Sequence, residues 1–316
     1  MREIRSGGRS FLGARFGRVA ILALVIAATA SALTAVAPVA VAPASAADVV
    51  KIGFYPSRSR GEVMRAAKAF CAYVAEKTEV VVEPVVAANY VEGVDALAKG
   101  RVDIAWLSPM SVVSAEKFGK VRVLFKSMRR DEPYYWGAVV VRKDSGITTI
   151  EGLHGKKFGW TDPTSTAGHL LTKASLIRAG TRPERDFGSN QFLGGHDRLV
   201  QAVLDKTVDA GATFANDPQK GIGAWTAYLK PEEAELLTAI FYTEPIPGDA
   251  IVGADGFLAK RKAVADKVAA CLTAMGDDPL GKSLLQGLYD VDKLITAESK
   301  DYDGVRLAVE ALTQGP

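Results

Sequence analysis

The sequence predicts an α/β fold arranged as two lobes. The first observation is length, because about 270 residues remain after an N-terminal targeting segment, more than one hydrophobic core usually holds. The second is pattern, since short β-rich runs alternate with amphipathic helical periodicity. The third is that no long Gly-, Ser- or Pro-rich linker divides this part of the chain. We therefore expect two lobes built from interleaved segments rather than separate domains in series.

Residues 1–46 have the features of a signal peptide. Five arginines precede an apolar run that begins near Val19, and small residues end at Ala46, where a signal peptidase would cut. An uncleaved membrane anchor is the alternative, because the apolar region is long for a signal peptide. Its Ala-rich end, interrupted by Pro38 and Pro43, favours cleavage. The sequence thus predicts a periplasmic or otherwise extracytoplasmic protein.

The positive charge of the chain comes from this targeting segment. The whole sequence has a formal net charge of +3. Without residues 1–46, Lys+Arg falls from 39 to 34 and Asp+Glu from 36 to 35, so the net charge becomes about −1. No clustered Lys/Arg stripe remains, which argues against a nucleic-acid partner. A membrane-surface role has no support in the charge pattern either.

Two cysteines, Cys71 and Cys271, are predicted to lie in an oxidising compartment. They could form a disulfide, or each could be a small buried apolar side chain. Both sit in apolar helical patterns, which favours burial, and the sequence leaves the pairing open.

Strands are predicted where β-branched and apolar residues cluster between turn residues. These runs are short enough for strands and are separated by helical patterns. The predicted strands are 49–54, 80–87, 103–106, 121–127, 138–142, 157–160, 208–213 and 237–242.

Helices are predicted where apolar residues recur at three- and four-residue spacing. The region from about Leu258 to the C-terminus is predicted to be entirely helical. The other predicted helices are 61–77, 90–99, 109–118, 166–179 and 196–204.

A chain that builds two interleaved lobes must pass between them twice. The favoured passages are residues 138–143 and 248–253, because each lies between blocks of alternating strand and helix. This predicts a first lobe of residues 47–140 plus 250–316 and a second lobe of residues 141–249. Two extended hinge segments would allow the lobes to close on a ligand.

The segment GWTDPTSTAGHLL, residues 159–171, is the first indication of a binding site. It places two hydroxyls, Ser165 and Thr166, next to Gly168 where a strand passes into a helix. A helix start has unpaired N–H groups and a partial positive charge, so these groups can hold a tetrahedral oxyanion. Taken alone, the same residues could serve only as an N-cap.

Five sequence blocks occur in an order typical of a known family. They are AANYVEGVDAL, VDIAWLSPMS, YYWGAVVVRKDS, DPTSTAGHLL followed by GGHD, and EPIPGDAIV. In these blocks the chain resembles the phosphonate-, phosphite- and phosphate-binding proteins of ABC importers, the PhnD-like periplasmic binding proteins. The resemblance spans most of the chain after residue 46. It implies a two-lobed type II (Venus-flytrap) periplasmic binding protein with two hinge crossings, an oxyanion ligand of the phosphonate class, an importer permease as partner, no cofactor and a monomer.

The resemblance also implies which residues bind the ligand. The expected carboxylate after the strand at 208–213 is Asp217, although the alignment could slip onto Asn216. The family turn commonly reads S-T-S-G, whereas this chain has Ala167 at the third position and offers only a backbone N–H there. The remaining implied ligand-binding residues are Tyr90, Tyr135, Ser165, Thr166, His196 and Asp249.

These residue types suit a phosphonate head apart from the resemblance. Hydroxyls, helix-start amides and a ring N–H of His196 would donate to the phosphonate oxygens. Asp249 can only accept when ionised, so it is expected to face a P–OH or a ligand ammonium, which favours a ligand carrying a proton or an amine. Each has a structural alternative: Tyr90 and Tyr135 could be core packing, His196 a helix cap and Asp249 a turn former.

An enzyme is the main competing class, and the sequence argues against it. It has no G-x-S-x-G elbow, no H-E-x-x-H motif and no Walker-type loop. The three histidines lack metal-ligand spacing, so no metal is expected. Two alternatives within the binding class stay open: docking on a membrane sensor kinase instead of a permease, and a different small oxyanion such as a sulfonate.

Overall fold

The computed structural model describes residues 49–314. The predicted signal peptide, residues 1–46, lies outside the described residues. Among those described, no helix combines the length and the apolar character needed to cross a bilayer. Cys71 is buried and Cys271 partly buried, and both thiols are free. Burial raises the pKa of the Cys71 thiol to about 12.

The described residues form thirteen strands, eight of them close to predicted positions. Three of these, 49–54, 157–160 and 237–242, have the predicted bounds. The strands are β1 Val49–Phe54, β2 Val81–Val86, β3 Ile104–Leu107, β4 Val121–Met128, β5 Tyr134–Arg142, β6 Lys157–Trp160, β7 Ser189–Phe192, β8 Ala210–Asp217, β9 Ile222–Gly223, β10 Leu237–Tyr242, β11 Ile246–Pro247, β12 Ala250–Ala254 and β13 Lys293–Thr296.

Twelve α-helices connect or follow these strands within the described part of the chain. The predicted helix at 166–179 begins with a π-helical turn, Thr166–Leu170, before its α-helical part. The helices are α1 Arg60–Thr78, α2 Tyr90–Ala98, α3 Pro109–Phe118, α4 Leu171–Arg178, α5 Pro183–Asp186, α6 His196–Leu204, α7 Ala224–Tyr228, α8 Pro231–Ala234, α9 Asp255–Lys260, α10 Lys262–Ala274, α11 Pro279–Tyr289 and α12 Asp303–Gln314.

The strands form two separate sheets, which confirms the predicted two-part α/β fold. The first sheet has the order β13-β4-β12-β3-β1-β2, and the second has the order β10-β5-β8-β6-β7 with β9 added to β8 and β11 to β5. In the first sheet β1 pairs in parallel with β2 and β3, whereas β12 runs antiparallel between β3 and β4. Strands from the beginning and the end of the chain therefore share one sheet.

The chain passes between the sheets at residues 129–133 and again at residues 248–249. The second passage falls within the predicted 248–253, but the first precedes the favoured 138–143. The reason is that β5 pairs with β8 over residues 136–141 and with β10 over 138–142, deep inside the second sheet. The two passages are hydrogen-bonded neighbours, since Gly248 N donates to Pro133 O at 2.9 Å. Their action as hinges, and the lobe boundaries, stay predictions.

Each sheet has its own hydrophobic core. The first sheet packs residues such as Ile52, Phe70 and Trp106 into one large buried cluster with helices α1, α10 and α11. The second sheet is covered on both faces, with a cluster around Leu199 on one side and a cluster around Phe158 on the other. Burying side chains of this size contributes about 1.5 to 3 kcal/mol each, which holds each sheet as a stable platform for the residues between them.

The prediction of an all-helical C-terminal region was wrong at one point. Strand β13, Lys293–Thr296, lies between α11 and α12 and pairs antiparallel with β4 at the edge of the first sheet. Its four residues carry too little periodicity to distinguish them from a helix segment. Because β13 pairs with the end of β4, the C-terminal end of α11 lies near the passage at 129–133. Tyr289, the last residue of α11, lines the cavity described next.

Candidate functional site

A buried cavity of about 40 Å³ lies between the two sheets. A single water-sized probe needs about 10 to 15 Å³, so the cavity has room for a small ligand only. Both sheets contribute walls: Tyr55, Tyr90 and Tyr289 come from the first sheet side, and Ser165 and His196 from the second. Within residues 49–314 no group of three or more His, Cys, Asp or Glu side chains is arranged to hold a metal ion.

Three tyrosines form the wall on the side of the first sheet. The rings of Tyr55 and Tyr289 stack with centroids 4.4 Å apart and planes 7° apart, and Tyr90 lies 5.5 Å from Tyr55. The Tyr289 hydroxyl donates to the Tyr55 carbonyl at 2.7 Å, which fixes the stack. Burial raises the pKa of Tyr55 and Tyr90 well above the ordinary value, so both hydroxyls stay protonated and able to donate.

A buried ion pair joins the two inter-sheet passages at the edge of this wall. Arg129 Nη2 lies 2.6 Å from Asp249 Oδ2, and each residue is only 5 % exposed. The Tyr55 hydroxyl donates to the same oxygen at 3.1 Å, and Arg129 Nε donates to the Tyr289 carbonyl at 3.2 Å. Burial alone would lower the pKa of Arg129, but the charge of Asp249 raises it above the ordinary value. The Arg129 guanidinium therefore stays charged in the folded protein despite its burial.

The predicted anion turn faces the cavity from the side of the second sheet. Ser165 is the N-cap of the π-helical turn, and its hydroxyl accepts from Gly168 N at 3.1 Å. Gly168 packs so closely that a Cβ there would overlap the side chain of Thr161. Ala167 follows Thr166 and lines the cavity at the third position of the turn. The turn thus presents two hydroxyls and helix-start amides to the cavity.

His196 begins helix α6 and is held as a neutral imidazole. Its Nδ1 lies 2.9 Å from Thr213 Oγ1 and 3.3 Å from Thr161 Oγ1, deep in the second sheet. Phe214 packs edge-to-face against the ring at 5.0 Å. Burial lowers the pKa of His196 to about 3, so the ring carries no charge at neutral pH. A neutral ring binds an anion by hydrogen bonding rather than by charge.

Direct hydrogen bonds join the two walls around the cavity. On one side of it, Thr166 Oγ1 accepts from Met110 N, at the start of helix α3, at 2.9 Å. Elsewhere His196 N donates to Ser57 O at 3.1 Å. These bonds hold the cavity in a closed arrangement. Two further bonds of this kind are Ser59 N to Asp197 Oδ2 at 3.1 Å and Asn216 Nδ2 to Asp290 Oδ2 at 2.8 Å.

Most of the residues predicted from the sequence come together in this cavity. Asp217 is the exception, because Phe214 and Asn216 point one way from strand β8 and the next residue points the other. Asp217 instead pairs with Lys220, Nζ to Oδ2, at 3.2 Å. Asn216, the alternative position, lines the cavity. The predicted residues that line it are Tyr90, Tyr135, Ser165, Thr166, Ala167, His196 and Asp249.

Sequence reasoning missed several lining residues. Tyr55 and Ser57 follow strand β1, where the end of a buried strand is a common place for ligand contacts, so that position was a usable signal. No sequence signal marked Arg129 or Tyr289. Arg129 lies in the passage between the sheets, and Tyr289 lies just before strand β13, which was not predicted. Of the histidines, His169 binds Pro163 O through Nδ1 at 2.7 Å, and His154 is exposed.

Comparison with known proteins gives one family. Residues 52–302 match the family described as "ABC transporter, phosphonate, periplasmic substrate-binding protein". The chain is 28 % identical over 218 residues to the phosphonates-binding periplasmic protein of Escherichia coli (strain K12), covering 67 % of this chain and 62 % of that protein. It is 32 % identical over 143 residues to the phosphate-import protein PhnD of Mycolicibacterium smegmatis, covering 42 % and 44 %. These matches span less than two thirds of each curated relative.

A solved structure shares the fold. The structure of PhnD1 from Prochlorococcus marinus in complex with methylphosphonate superposes with a TM-score of 0.73, covering 85 % of this chain and 99 % of that one. The sequence identity is 20 %, so the likeness concerns the fold alone.

Proposed function

The chain belongs to the periplasmic substrate-binding proteins of phosphonate ABC transporters, and from that premise we propose that it captures a phosphonate-class oxyanion in the cavity between its two sheets. In this proposal it acts outside the cytoplasm, after removal of residues 1–46, and presents the ligand-bound closed form to the permease of an importer. It makes and breaks no covalent bond, and it needs neither a metal nor a cofactor.

The observation that carries the proposal is the composition of the cavity wall at the anion turn. Ser165, Thr166 and the amides of the π-helical turn meet the neutral ring of His196 at one cavity. Hydrogen-bond donors that converge on a small buried space at a helix start suit a tetrahedral oxyanion. Tyr90 lines the same space from the side of the first sheet, and Tyr135 lines it from strand β5 of the second sheet, both with protonated hydroxyls.

The inter-sheet hydrogen bonds supply a mechanism for capture and release. Bonds such as His196 N to Ser57 O form only when the two sheets approach each other. A ligand that contacts both walls stabilises this closed arrangement more than an open one, so binding shifts the population toward closure. The closed form is then the one that a permease recognises.

Thermal unfolding of the purified protein tests the proposal. We expect methylphosphonate, phosphite or phosphate to raise the midpoint, since a ligand that binds only the folded state stabilises it. Ser165→Ala should weaken binding of that ligand by about 1 to 3 kcal/mol, because it removes a hydroxyl from the anion turn. Isothermal titration of both proteins measures the difference.

Asp278→Ala is the matched control. Asp278 caps helix α11 by accepting from Gly281 N at 2.8 Å, outside the cavity lining. Like Ser165→Ala, this variant removes an N-cap and should lower stability, but it should leave the affinity unchanged. A midpoint that moves with sulfate or taurine but with no phosphorus compound would contradict the phosphonate class, and unchanged affinity in Ser165→Ala would remove the turn from the site.

A further inference from the structure

The charge balance of the cavity indicates which substituent a ligand can carry on phosphorus. Among the described residues that line the cavity, only Arg129 and Asp249 are ionised, because His196 is neutral. The two charges belong to one ion pair and cancel. The wall therefore offers hydrogen-bond donors to an anion but offers a ligand cation no carboxylate whose charge is uncompensated.

We propose that Arg129 is a specificity-determining residue that restricts the cavity to tetrahedral oxyanions whose substituent carries no ammonium group. This inference rests on the proposed function and narrows its ligand class to phosphite, phosphate and simple alkylphosphonates. Of the two ligands expected from the sequence to suit Asp249, one carrying a proton and one carrying an amine, this proposal retains only the first.

The geometry of Asp249 supports this role for Arg129. Its Oδ2 already accepts two hydrogen bonds, from Arg129 at 2.6 Å and from the Tyr55 hydroxyl at 3.1 Å. The Arg129 guanidinium is fixed in turn by the Tyr289 carbonyl and lies 5.8 Å from the centre of the Tyr135 ring. A ligand ammonium would have to compete with a guanidinium that is present permanently and held by three neighbours.

A second position that could have held an amine carries no charge. Strand β8 brings Asn216 to the cavity wall where the family resemblance had led us to expect a carboxylate. The amide nitrogen of Asn216 donates to Asp290 Oδ2 at 2.8 Å, so this side chain is oriented by a contact to the first sheet. Asp217, the nearby carboxylate, is directed to Lys220 instead.

The energetics of burial follow from this arrangement. Taking an ammonium group out of water is costly unless a counter-charge compensates it, and the wall has none to spare. A phosphonate anion is also costly to bury, but the hydroxyls and helix-start amides of the wall compensate its charge, and Arg129 cancels the repulsion that Asp249 would otherwise exert. The ion pair thus disfavours ligands that carry an ammonium group and permits oxyanions that carry none.

Two probes of nearly identical shape isolate the charge effect from size. Ethylphosphonate and aminomethylphosphonate have the same number of heavy atoms and differ by a methyl group in place of an ammonium. In isothermal titrations of the wild-type protein we expect ethylphosphonate to bind roughly tenfold tighter or more, with phosphite and phosphate as smaller references. Equal or tighter binding of aminomethylphosphonate overturns the inference while leaving the proposed function intact. Absence of binding by all four overturns both.

Variants assign the discrimination to Arg129. Arg129→Met frees the carboxylate of Asp249, so the affinity ratio should shift toward aminomethylphosphonate by about tenfold at mildly alkaline pH. Arg129→Met combined with Asp249→Asn removes both charges and should abolish that shift. Arg129→Lys retains the positive charge and should keep the wild-type order. If Arg129→Met leaves the ratio of the two affinities unchanged, Arg129 does not determine specificity. If Arg129→Met does not fold, the wild-type protein and Arg129→Lys still test the inference. Tighter binding of aminomethylphosphonate than of ethylphosphonate by either protein contradicts it.

Discussion

The two walls of the cavity solve different problems with different side chains. The wall on the first sheet is aromatic and contains the Arg129–Asp249 pair, whose groups bind mainly one another. The wall on the second sheet combines small hydroxyls, helix-start amides and neutral His196 with the rings of Tyr135, Phe214 and Tyr228. The first wall is stabilised internally, whereas the second keeps donors directed to the cavity.

In the proposed function, this difference lets a small cavity bind an anion without a free cation. The second wall supplies attraction through dipoles and hydrogen bonds, which retain specificity for the shape of a tetrahedral group. The first wall supplies a rigid surface with no net charge. Stability is therefore expected to depend mostly on the first wall and affinity mostly on the second.

The strongest test of this division breaks the ion pair. Arg129→Met should lower the free energy of unfolding by about 3 to 5 kcal/mol, because it leaves the Asp249 carboxylate buried without a partner. Arg129→Met combined with Asp249→Asn should recover most of that loss. Urea denaturation of the ligand-free proteins measures both values.

A surface pair provides the matched control. Lys262 and Asp266 have the same 2.6 Å separation as Arg129 and Asp249, but their side chains are 76 % and 63 % exposed. Lys262→Met should change stability by no more than about 1 kcal/mol, since exposed ion pairs contribute little. Similar losses in the buried and the surface variants would show that burial does not set the first wall apart.

Acid should destabilise the protein through His196 in the second wall. The pKa of His196 is about 3 in the folded protein against 6.5 ordinarily, because burial disfavours the charged ring. Below about pH 6.5 the unfolded chain binds a proton that the folded chain does not, so stability falls as pH drops toward 3. The expected slope is about 1.4 kcal/mol per pH unit, or roughly 2 kcal/mol between pH 6.5 and 5.

His196→Asn isolates this contribution from that of the carboxylates. Exposed acids such as Asp144, whose pKa is lowered by hydrogen bonds from Arg142 and Lys206, weaken both proteins alike in acid. The difference between the wild-type and His196→Asn unfolding free energies should therefore shrink as pH falls below about 6.5. A difference that stays constant down to pH 5 would mean that the ring titrates normally and is not sequestered in the second wall.

Sequence reasoning recovered the parts of the fold that local patterns determine. The bounds of helix α3 and helix α6 were correct because Ser108 and the Gly194–Gly195 pair mark their starts clearly. Strand β13 was not predicted, because four residues are too few to show a hydrophobic periodicity. The first passage was predicted at 138–143 although the polar residues 129–133 precede β5, and the pairing of β5 with β8 shows that the second sheet begins before residue 138.

The site divides in the same way. Ser165, Thr166 and Ala167 of the second wall lie in one short segment, which the sequence marks as a turn from a strand into a helix. The first wall is assembled from distant pieces, and Arg129 is 120 positions from Asp249. The block EPIPGDAIV implied Asp249 as a site residue, but no motif near Arg129 indicates that the two residues pair. Long-range contacts of this kind depend on topology, which no local pattern determines.

The smallest expected effect is that of an added hydroxyl in the second wall, and it tests whether this wall binds through its hydrogen-bond donors. Ala167→Ser restores a hydroxyl at the third position of the anion turn, where Ala167 lines the cavity. Affinity for the bound oxyanion should rise by about 0.5 to 1.5 kcal/mol, the usual net value of one added hydrogen bond. Isothermal titration with the ligand identified by thermal unfolding measures the gain.

Extra volume at position 167 could weaken binding and so oppose the gain from an added hydroxyl. A control variant must therefore reproduce the crowding without the hydroxyl. Ala167 lies in a small buried cluster with Tyr135 and Ile246, where extra volume is unwelcome. Ala167→Cys adds a side chain of similar size with only a weak donor, so it reproduces the crowding but little of the hydrogen bonding. If both variants weaken binding equally, the third position serves packing and the turn already has the donors it needs. If only Ala167→Ser strengthens binding, the alanine limits affinity in this chain and the second wall acts through its count of donors.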